Sequence, residues 1–261
     1  MQIDLNNKVA IVTGGGRGIG RVIARTFAQE GAKVAIIDFK QDLLDDATAE
    51  WQKAGWDGLQ VNADVRHKDQ VASAVAEIEA KYGRVDILVN DAGVASGAKV
   101  TELAEETWDA NFDTNAKGTF LMCQAVAPIM KRQKSGRILN AASYAAITPS
   151  IGSAAYASSK YAVVGFTRVM AGELGPYDVT VNCYSPGMVP TLMNRFADAP
   201  PDRKEKLLDT LTLRRWGTPE DVANLLSFLA SDLGQYITGA HIDCSGGKYA
   251  TQFPSLAYEQ Q

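Results

Sequence analysis

Histidine and cysteine are scarce in this sequence, and their scarcity excludes several kinds of chemistry. The 261 residues include two histidines, His67 and His241, and three cysteines, Cys123, Cys183 and Cys244. These residues are too widely spaced to form a C-x-x-C pair, a zinc-ligand motif or a disulfide framework. We therefore expect no metal site. A Ser-His-Asp hydrolase would have to use one of two histidines that lie in no recognisable setting.

An excess of basic charge and a long apolar run are also absent. The chain has 26 Lys and Arg against 30 Asp and Glu, which argues against nucleic acid as its main partner. Its first eight residues lack the pattern of a signal peptide, and the longest charge-free stretch, 138–159, is too rich in serine for a membrane span. We therefore expect a protein of the reducing cytoplasm that acts on a small molecule, with no membrane partner.

Short apolar runs alternate with helical patterns along almost the whole chain. The predicted strands are Lys8–Thr13, Lys33–Ile37, Leu59–Asp64, Asp86–Asn90, Gly136–Asn140, Val179–Tyr184 and Ala240–Cys244. The predicted helices are Ile19–Glu30, Asp42–Lys53, Lys68–Tyr82, Ala104–Lys131, Tyr156–Leu174 and Pro219–Ala230. Continuous apolar strands that alternate with helices predict an α/β fold, a Rossmann-type doubly wound parallel sheet of about seven strands. Because no linker or repeat interrupts this pattern, we expect one domain over residues 1–261.

The first strand is followed by a glycine-rich loop that predicts a dinucleotide site. Glycines at positions 14, 18 and 20 stand where the strand meets a helix, so the backbone can approach a pyrophosphate at the helix amino terminus. Asp38 ends the second strand, where a carboxylate accepts hydrogen bonds from ribose hydroxyls and repels a 2′-phosphate. An ordinary glycine-rich turn is the alternative, but it does not explain why strand, loop, helix and acid occur in register.

Six further motifs follow the glycine loop in order. They are Asn90-Asp-Ala-Gly93, Asn115, Ser143, Tyr156-Ala-Ser-Ser-Lys160, Pro186-Gly-Met-Val-Pro-Thr191 and Asp243-Cys-Ser-Gly-Gly247. Together with the loop they resemble the short-chain dehydrogenase/reductase family, from about position 6 to position 247. The resemblance implies an oxidoreductase that uses a nicotinamide cofactor. A nucleotide sensor without catalytic activity would tolerate loss of the tyrosine or the lysine, and both are present.

The resemblance also identifies four catalytic candidates: Ser143, Tyr156, Lys160 and Asn115. Tyr156 and Lys160 are four residues apart on a predicted helix and share one face. We expect a lysine ammonium and a positive nicotinamide to lower the pKa of the phenol, so that Tyr156 acts as general acid or base. Ser143 would orient the reacting oxygen. By resemblance, Lys160 also holds the nicotinamide ribose, and Asn115 interrupts the long helix and connects Lys160 to solvent.

The cofactor contacts implied by the loop and the resemblance come from the ends of several strands. They are Gly14, Arg17, Gly18, Ile19, Gly20, Asp38, Asp64, Val65, Asn90, Ala92, Gly93, Tyr156, Lys160, Pro186, Gly187, Val189 and Thr191. Asp64 resembles the family's adenine contact, and Thr191 its contact to the nicotinamide carboxamide. One departure is Asp91, since the family often has asparagine there; its charge puts the local hydrogen bonding in doubt.

Two signals compete over the cofactor. Arg17 in the loop and Lys40 after the second strand are basic residues, and a basic residue in the loop often accompanies NADP in relatives. Asp38 stands where the 2′-phosphate would lie, so repulsion at contact should outweigh a flexible arginine. We therefore expect NAD, with a sugar, polyol or small diol as substrate. The alternative is an NADPH-dependent ketoreductase of 3-oxoacyl thioesters.

Substrate choice is expected to lie in a lid over residues 187–216, opposite a wall at Ala145–Ile151. In the lid, Arg195, Arg203, Lys204, Lys206, Arg214 and Arg215 stand against Asp198, Asp202, Glu205 and Asp209. One interpretation is a lid that offers arginine to an anionic substrate; the interpretation we favour is a solvated amphipathic helix. Four apolar residues would then face inward or pack within the lid: Met188, Leu192, Met193 and Phe196.

Two helices carry few charges and predict an oligomer. The helix at 156–174 has three charged residues, and the long helix is apolar from 120 to 130. In the family these helices form the subunit interface, so the resemblance implies a homotetramer built from dimers. The tail after position 247, with Tyr249, Phe253 and Tyr258, either reaches a neighbouring subunit or frays.

Overall fold

The buried β-branched runs form a parallel sheet of seven strands in the computed structural model, which describes residues 3–194, 196–248 and 250–259. The strands are β1 (Val9–Thr13), β2 (Lys33–Asp38), β3 (Gly58–Asn62), β4 (Ile87–Asn90), β5 (Gly136–Ala141), β6 (Val179–Pro186) and β7 (His241–Cys244). Their order in the sheet is β3-β2-β1-β4-β5-β6-β7. The predicted α/β fold with a doubly wound parallel sheet is therefore confirmed.

Helices cover both faces of this sheet. They are α1 (Gly18–Gln29), α2 (Gln41–Ala54), α3 (Lys68–Tyr82), α4 (Glu105–Asn111), α5 (Gly118–Gln133), α6 (Ala154–Leu174), α7 (Pro201–Leu208), α8 (Pro219–Ala230) and α9 (Leu256–Glu259). Apolar side chains of α1, α2 and α8 form the core on one face, and those of α3, α5 and α6 form the core on the other. In the ranges given above, none of the helices is both long and apolar enough to cross a bilayer.

The direction of the strand order reverses at β1, and this reversal positions the site. Strand β1 pairs with β2 on one side and β4 on the other, and Thr13 at its end is level with both Ile37 and Asn90. The chain leaves these strands toward opposite sides of the sheet, so a crevice opens at their carboxyl ends. The expected nucleotide loop between β1 and α1 lies at this crevice.

Two of the differences between the structure and the sequence expectations concern elements near the site. Strand β3 ends at Asn62, two residues before the predicted end. The predicted long helix over 104–131 is divided by a π-helical turn, Phe112–Lys117. The wider turn contains Asn115, so the expectation that this residue interrupts the helix is confirmed.

The tail contacts the segment that is expected to form the lid. The Tyr258 hydroxyl donates a hydrogen bond to the carbonyl of Thr212 at 2.8 Å, and the Arg214 guanidinium lies 5.8 Å from the centre of the Tyr258 ring. Phe253 remains two-thirds exposed. Tyr249, also named in the tail prediction, lies outside the described residues.

Candidate active site

A cavity of about 490 Å³ opens at the carboxyl edge of the sheet. The loops after β1, β2, β3, β4, β5 and β6 all contribute to its walls. The predicted site residues that line it are Gly14, Arg17, Gly18, Ile19, Asp38, Asp64, Val65, Ala92, Gly93, Ser143, Tyr156, Lys160, Pro186, Gly187, Val189 and Thr191. Residues more than 170 positions apart in the sequence thus meet around one space, which is large enough for a nucleotide.

The glycine loop comes close to the loop after β4. Gly14 has a φ of +65°, and a Cβ atom at this position would lie 2.8 Å from the Cα of Ala92. Thr13 fixes the same approach, because its hydroxyl accepts hydrogen bonds from the backbone N–H groups of Asp91 and Ala92, both at 3.1 Å. Only glycine fits at position 14 without displacing the neighbouring loop.

Asp38 lies at one end of the cavity with its carboxylate held by backbone groups. The N–H of Gly16 donates to Oδ2 at 3.2 Å, and the N–H of Lys40 donates to Oδ1 at 3.1 Å. Each oxygen can accept a further hydrogen bond, and the side chain lines the cavity. The arrangement suits a ribose diol and opposes a phosphate at the same place. Arg17 also lines this end.

Asp64 makes a contact that the sequence analysis missed. Arg66 donates from Nε to both carboxylate oxygens of Asp64, at 3.0 and 2.9 Å, and from Nη2 to Oδ2 at 2.6 Å. The hydrogen bond from Arg66 lowers the pKa of Asp64. Arg66 also lines the cavity. An adenine contact at Asp64 would therefore share its carboxylate with this arginine, and no spacing rule identifies such a pair.

Ser143, Tyr156 and Lys160 meet at the other end of the cavity. Ser143 begins a short 3₁₀ turn after β5, and its hydroxyl accepts a hydrogen bond from the N–H of Ala145 at 3.1 Å. The Ser143 hydroxyl also hydrogen-bonds the phenol of Tyr156. Lys160 is almost fully buried; its Nζ lies 5.8 Å from the centre of the Tyr156 ring and donates to the carbonyl of Ala141 at 2.8 Å. The Ser143 hydroxyl, the Tyr156 phenol and the Lys160 ammonium thus face the same part of the cavity.

The chain's own groups do not lower the pKa of the Tyr156 phenol, so the expectation is wrong in that respect. Burial raises the pKa of Tyr156 to about 12; the hydrogen bond from Ser143 acts against this, while the charges of Tyr144 and Asp91 add to it. Burial also lowers the pKa of Lys160 to about 8, against the effect of Asp91. Spacing on a helix predicts that two side chains share a face, but it does not reveal how far the surrounding structure removes them from water.

Asn115 lies behind this end and holds the loop that follows β4. Its Oδ1 accepts from the N–H of Val94 at 2.9 Å, and its Nδ2 donates to the carbonyl of Val94 at 3.0 Å and to the Ser159 hydroxyl at 2.9 Å. Ser159 immediately precedes Lys160 on α6. The π-helical turn thus places one amide between the β4 loop and α6.

Three predicted site residues are absent from the cavity wall. Asn115 is one. Asn90 is buried and its Nδ2 donates to Asn140 Oδ1 at 2.9 Å, which joins β4 to β5. The N–H of Gly20 donates to the carboxylate of Asp91. Asn90 and Gly20 are therefore close to the site without lining it.

Asp91 makes a second contact that the sequence does not reveal. The hydroxyl of Tyr184, a fully buried side chain on β6, donates to Asp91 Oδ1 at 2.6 Å. Burial raises the pKa of Asp91, and the hydrogen bond from Tyr184 and the charge of Lys160 oppose that effect. A carboxylate thus lies near Lys160 and is held by a hydrogen bond from another strand.

Two arginines of the expected lid bind carboxylates of the chain itself. Arg214 bonds Glu205 at 2.7 Å and Asp209 at 3.0 Å, and Arg215 bonds Asp221 at 2.8 Å. This agrees with the solvated-helix interpretation of that segment. The lid residues on the cavity wall are instead polar or apolar: Leu192, Met193, Asn194 and Phe196. Arg195 lies outside the described residues.

Asn194 is a further residue that the sequence analysis missed. Its Oδ1 accepts from the N–H of Thr191 at 3.1 Å, and its Nδ2 donates to the carbonyl of Val189 at 2.7 Å. These bonds fix the part of the loop that carries two of the predicted cofactor residues, Val189 and Thr191. Nearby, the rings of Phe196 and Trp216 stack with their centres 5.8 Å apart.

Most of the chain is similar to known proteins. Residues 14–248 match a family model described as enoyl-(acyl carrier protein) reductase. The chain is 38% identical over 245 residues to a 3-oxoacyl-[acyl-carrier-protein] reductase of Staphylococcus epidermidis, a match that covers 93% of this chain and 99% of the relative. It is also 38% identical over 247 residues to the human dehydrogenase/reductase SDR family member 4, with 93% of this chain and 88% of that relative covered.

A solved structure matches the fold over nearly its full length. The NAD⁺-bound xylitol dehydrogenase aligns with a TM-score of 0.89 at 28% identity. The match covers 93% of this chain and 99% of the xylitol dehydrogenase.

Proposed function

The chain belongs to the short-chain dehydrogenase/reductase family, and we propose that it transfers a hydride between NAD and a sugar, polyol or small diol. As a member of that family it is an oxidoreductase that acts on CH–OH or carbonyl groups with a nicotinamide cofactor. One observation carries the proposal: Ser143, Tyr156 and Lys160 meet at one end of a cavity whose other end carries Asp38. We assign that cavity to the cofactor and the alcohol together.

The proposed proton transfer uses Tyr156. When bound, the nicotinamide supplies the hydride acceptor for oxidation and the hydride donor for reduction. In oxidation the alcohol carbon loses a hydride and its hydroxyl loses a proton, which the Tyr156 phenolate accepts. Ser143 holds the reacting oxygen by a hydrogen bond, and the Lys160 ammonium stabilises the phenolate. The high pKa of Tyr156 means that this step needs added positive charge, which a bound NAD⁺ would supply beside the phenol.

Asp38 supports NAD as the cofactor. Its carboxylate is held by two backbone N–H groups and leaves lone pairs for the ribose hydroxyls. A 2′-phosphate at the same place would meet like charge in a partly dry environment. Arg17 remains beside it on the cavity wall, so some use of NADP is part of the expectation.

The character of the cavity supports a neutral substrate. The described side chains at its catalytic end are mainly small, hydroxylated or apolar: Ala142, Tyr144, Ala145, Ser150, Ser153, Leu192, Met193 and Phe196. The described arginines at positions 214 and 215 bind carboxylates of the chain itself. These features favour a molecule with hydroxyl groups over a sugar acid. The xylitol dehydrogenase with a similar fold points in the same direction.

A second candidate is a ketoreductase of 3-oxoacyl thioesters that uses NADPH. The 38% identity to a 3-oxoacyl-[acyl-carrier-protein] reductase favours it. Both candidates use the same catalytic residues. They run one type of reaction in opposite directions. They differ at Asp38, because NADPH would place a phosphate beside that carboxylate.

The proposal extends to the organisation of the protein. We infer one domain over residues 1–261 with a substrate lid at 187–216, and a homotetramer. Exposed apolar residues on α5 and α6 support the tetramer, among them Phe120, Tyr161 and Val169, which are 42%, 47% and 59% exposed. A reducing cytoplasm belongs to the same proposal, because all three cysteines are unpaired. Light scattering of the purified protein measures the assembly; a monomeric mass would contradict it.

The proposed function is tested by a substrate panel with both cofactors. Absorbance at 340 nm is followed with NAD⁺ or NADP⁺ and a set of sugars, polyols, diols and sugar acids, and in reverse with NADH or NADPH and a 3-oxoacyl thioester. We expect the fastest turnover with NAD⁺ and a neutral polyol or diol. Fastest turnover with NADPH and the thioester would establish the second candidate.

A matched pair of variants ties that turnover to the site. Tyr156→Phe removes the proton acceptor, and we expect kcat/KM to fall by about 10³-fold or more. Tyr236→Phe removes the same hydroxyl from a fully exposed position that does not line the cavity. This variant should retain activity within about twofold. Equal losses in the two variants would contradict the assignment of Tyr156.

A further inference from the structure

Asp91 is held between three elements of the fold. Its backbone N–H donates to Thr13 on β1, its Oδ1 accepts from the Tyr184 hydroxyl of β6 at 2.6 Å, and the N–H of Gly20 on α1 donates to the same carboxylate. The side chain also lines the cavity. The carboxylate therefore has a fixed position beside the catalytic end, but no cationic side chain forms an ion pair with it among the residues that the structure describes.

Lys160 is a buried group of the opposite charge. Its ammonium is buried and donates to one backbone carbonyl, that of Ala141, and within the described ranges it too has no ion pair. The loop that begins at Asp91 passes directly beside it, since a Cβ atom at Gly93 would lie 3.6 Å from Lys160 Nζ. A charge held out of water without a counter-charge is costly, so a nearby carboxylate in a fixed position has a large influence.

We propose that Asp91, fixed by Tyr184, is a positioning residue that provides the counter-charge for the Lys160 ammonium. The pairing acts across the cavity wall instead of through a direct salt bridge. Lys160 therefore remains free to bond a ligand, while its positive charge is maintained. The inference takes the role of Lys160 from the proposed function.

The other titratable groups around this pair support the direction of the effect. Asp91 raises the pKa of Lys160, and Lys160 in turn favours the ionised form of Asp91. Tyr184 and Tyr156 are the phenols that face the carboxylate, and Asp91 raises the pKa of both. Tyr144 acts on Tyr156 in the same direction. Loss of the negative charge should therefore lower the pKa of Lys160 and that of Tyr156 together.

The competing explanation is that Asp91 only clasps β1, β6 and α1 together. Substitution would then change stability without changing the titration of Lys160. The two explanations are separated by a measurement of that titration in the folded protein without any substrate. Protein labelled with ¹³C at lysine Cε is suitable, because the Cε signal reports protonation of the attached Nζ. The signal missing in Lys160→Met identifies Lys160.

Asp91→Asn removes the charge with little change in shape. We expect the titration midpoint of Lys160 to fall by about one pH unit from its wild-type value. Asp91→Glu restores the charge and should recover most of the wild-type midpoint. Asp86→Asn is the matched control, because it removes a buried carboxylate at the other end of β4, where Arg84 binds it. The control should leave the midpoint of Lys160 within about 0.2 pH units.

Tyr184→Phe keeps the test available if Asp91→Asn does not fold. The Tyr184 hydroxyl fixes the Asp91 carboxylate and favours its ionised form. Its removal should therefore lower the titration midpoint of Lys160, by a smaller amount than Asp91→Asn does. An unchanged midpoint in Asp91→Asn, or in Tyr184→Phe where only this variant folds, would overturn the proposal. An equal fall in Asp86→Asn would overturn it as well.

Turnover gives a second, independent measurement. In the pH profile of alcohol oxidation, Asp91→Asn should move the rise of kcat/KM, because it removes a charge that acts on both Lys160 and Tyr156, whereas Asp86→Asn should leave the rise in place. A shift in the Lys160 titration without any oxidation of the substrate panel would refute the proposed function and leave this inference intact.

Discussion

The two ends of strand β4 carry aspartates in opposite circumstances. Asp86 at the amino end is buried and accepts two hydrogen bonds from Arg84, at 2.8 and 2.6 Å, and one from the N–H of Val9 at 2.9 Å. Asp91 at the carboxyl end is bound by a phenol and a backbone N–H, and the charge of Lys160 acts on it without an ion pair among the described residues. The charge of Asp86 is neutralised where it lies, whereas the charge of Asp91 extends into the cavity.

The two edges of the sheet thus carry charged groups with different roles: one set stabilises the fold and the other acts on a ligand. Fixed, locally paired charges at the amino edge hold strands together. At the carboxyl edge Asp38, Asp91 and Lys160 are held by neutral partners, and their charges keep an electrostatic influence on any ligand that enters. The contrast leads to four predictions, which differ in the edge they address and in the size of the effect.

The largest effect on stability is expected at the amino edge. Asp86→Ala leaves the buried N–H of Val9 without its acceptor and removes the partner of Arg84, and we expect the free energy of unfolding to fall by about 3 kcal/mol. Urea unfolding at fixed protein concentration measures the loss. At a temperature where the variant remains folded, kcat/KM should stay within about twofold. A loss of turnover comparable to that of Tyr156→Phe would erase the distinction between the two edges.

The second effect is a stability gain at the carboxyl edge that depends on pH. Lys160 has an ordinary pKa of 10.5 and a folded-state pKa of about 8, so the unfolded chain binds more protons between these values and stability rises with pH across this window. Lys160→Met removes the buried ammonium. It should therefore stabilise the protein most near pH 7, by about 2 kcal/mol more than at pH 10.

The matched control for this variant is Lys53→Met on α2. Lys53 is exposed, so its removal should change the unfolding free energy by less than about 0.5 kcal/mol, equally at both pH values. A pH-independent effect of Lys160→Met, measured by urea unfolding at pH 7 and 10, would mean that the ammonium is not destabilised by its surroundings.

The third prediction concerns the cofactor end of the same edge. Asp38→Ala removes the carboxylate that opposes a 2′-phosphate and leaves Arg17 nearby, so the ratio of kcat/KM for NADP to that for NAD should rise by about 100-fold. Asp42→Ala on α2 removes an exposed carboxylate a short distance along the chain and should change this ratio by less than about threefold. Initial rates with both cofactors give the ratio. An unchanged preference in Asp38→Ala would contradict the proposed choice of NAD.

The sequence was sufficient for the features that depend on local pattern. The apolar runs and glycine positions predict the sheet and the nucleotide loop, because strand, turn and helix each have a short-range signal. The four-residue spacing of Tyr156 and Lys160 predicts one shared helix face. The family resemblance added Ser143, which local pattern does not distinguish from its neighbouring serines.

The features that escaped prediction depend on contacts between distant parts of the chain. Tyr184 and Asp91 are 93 positions apart, and neither has a neighbour in sequence that signals their hydrogen bond. The raised pKa of Tyr156 follows from how completely the surrounding loops bury it, and no spacing rule contains that information. For the same reason the sequence did not reveal that the amide of Asn90 faces β5 and bonds Asn140.

The smallest predicted effect shows that the carboxyl edge also contains purely structural groups. Thr218 begins α8 at this edge; its hydroxyl accepts from the N–H of Asp221 at 3.1 Å, and the Asp221 carboxylate accepts from the N–H of Thr218 at 2.9 Å. Thr218→Ala removes one half of this capping box and should lower the free energy of unfolding by about 1 kcal/mol. Thr218→Ser keeps the hydroxyl and should recover most of the loss in urea unfolding. Because Thr218 does not line the cavity, kcat/KM should be unchanged, and a changed KM for the cofactor would place this helix end within the functional site after all.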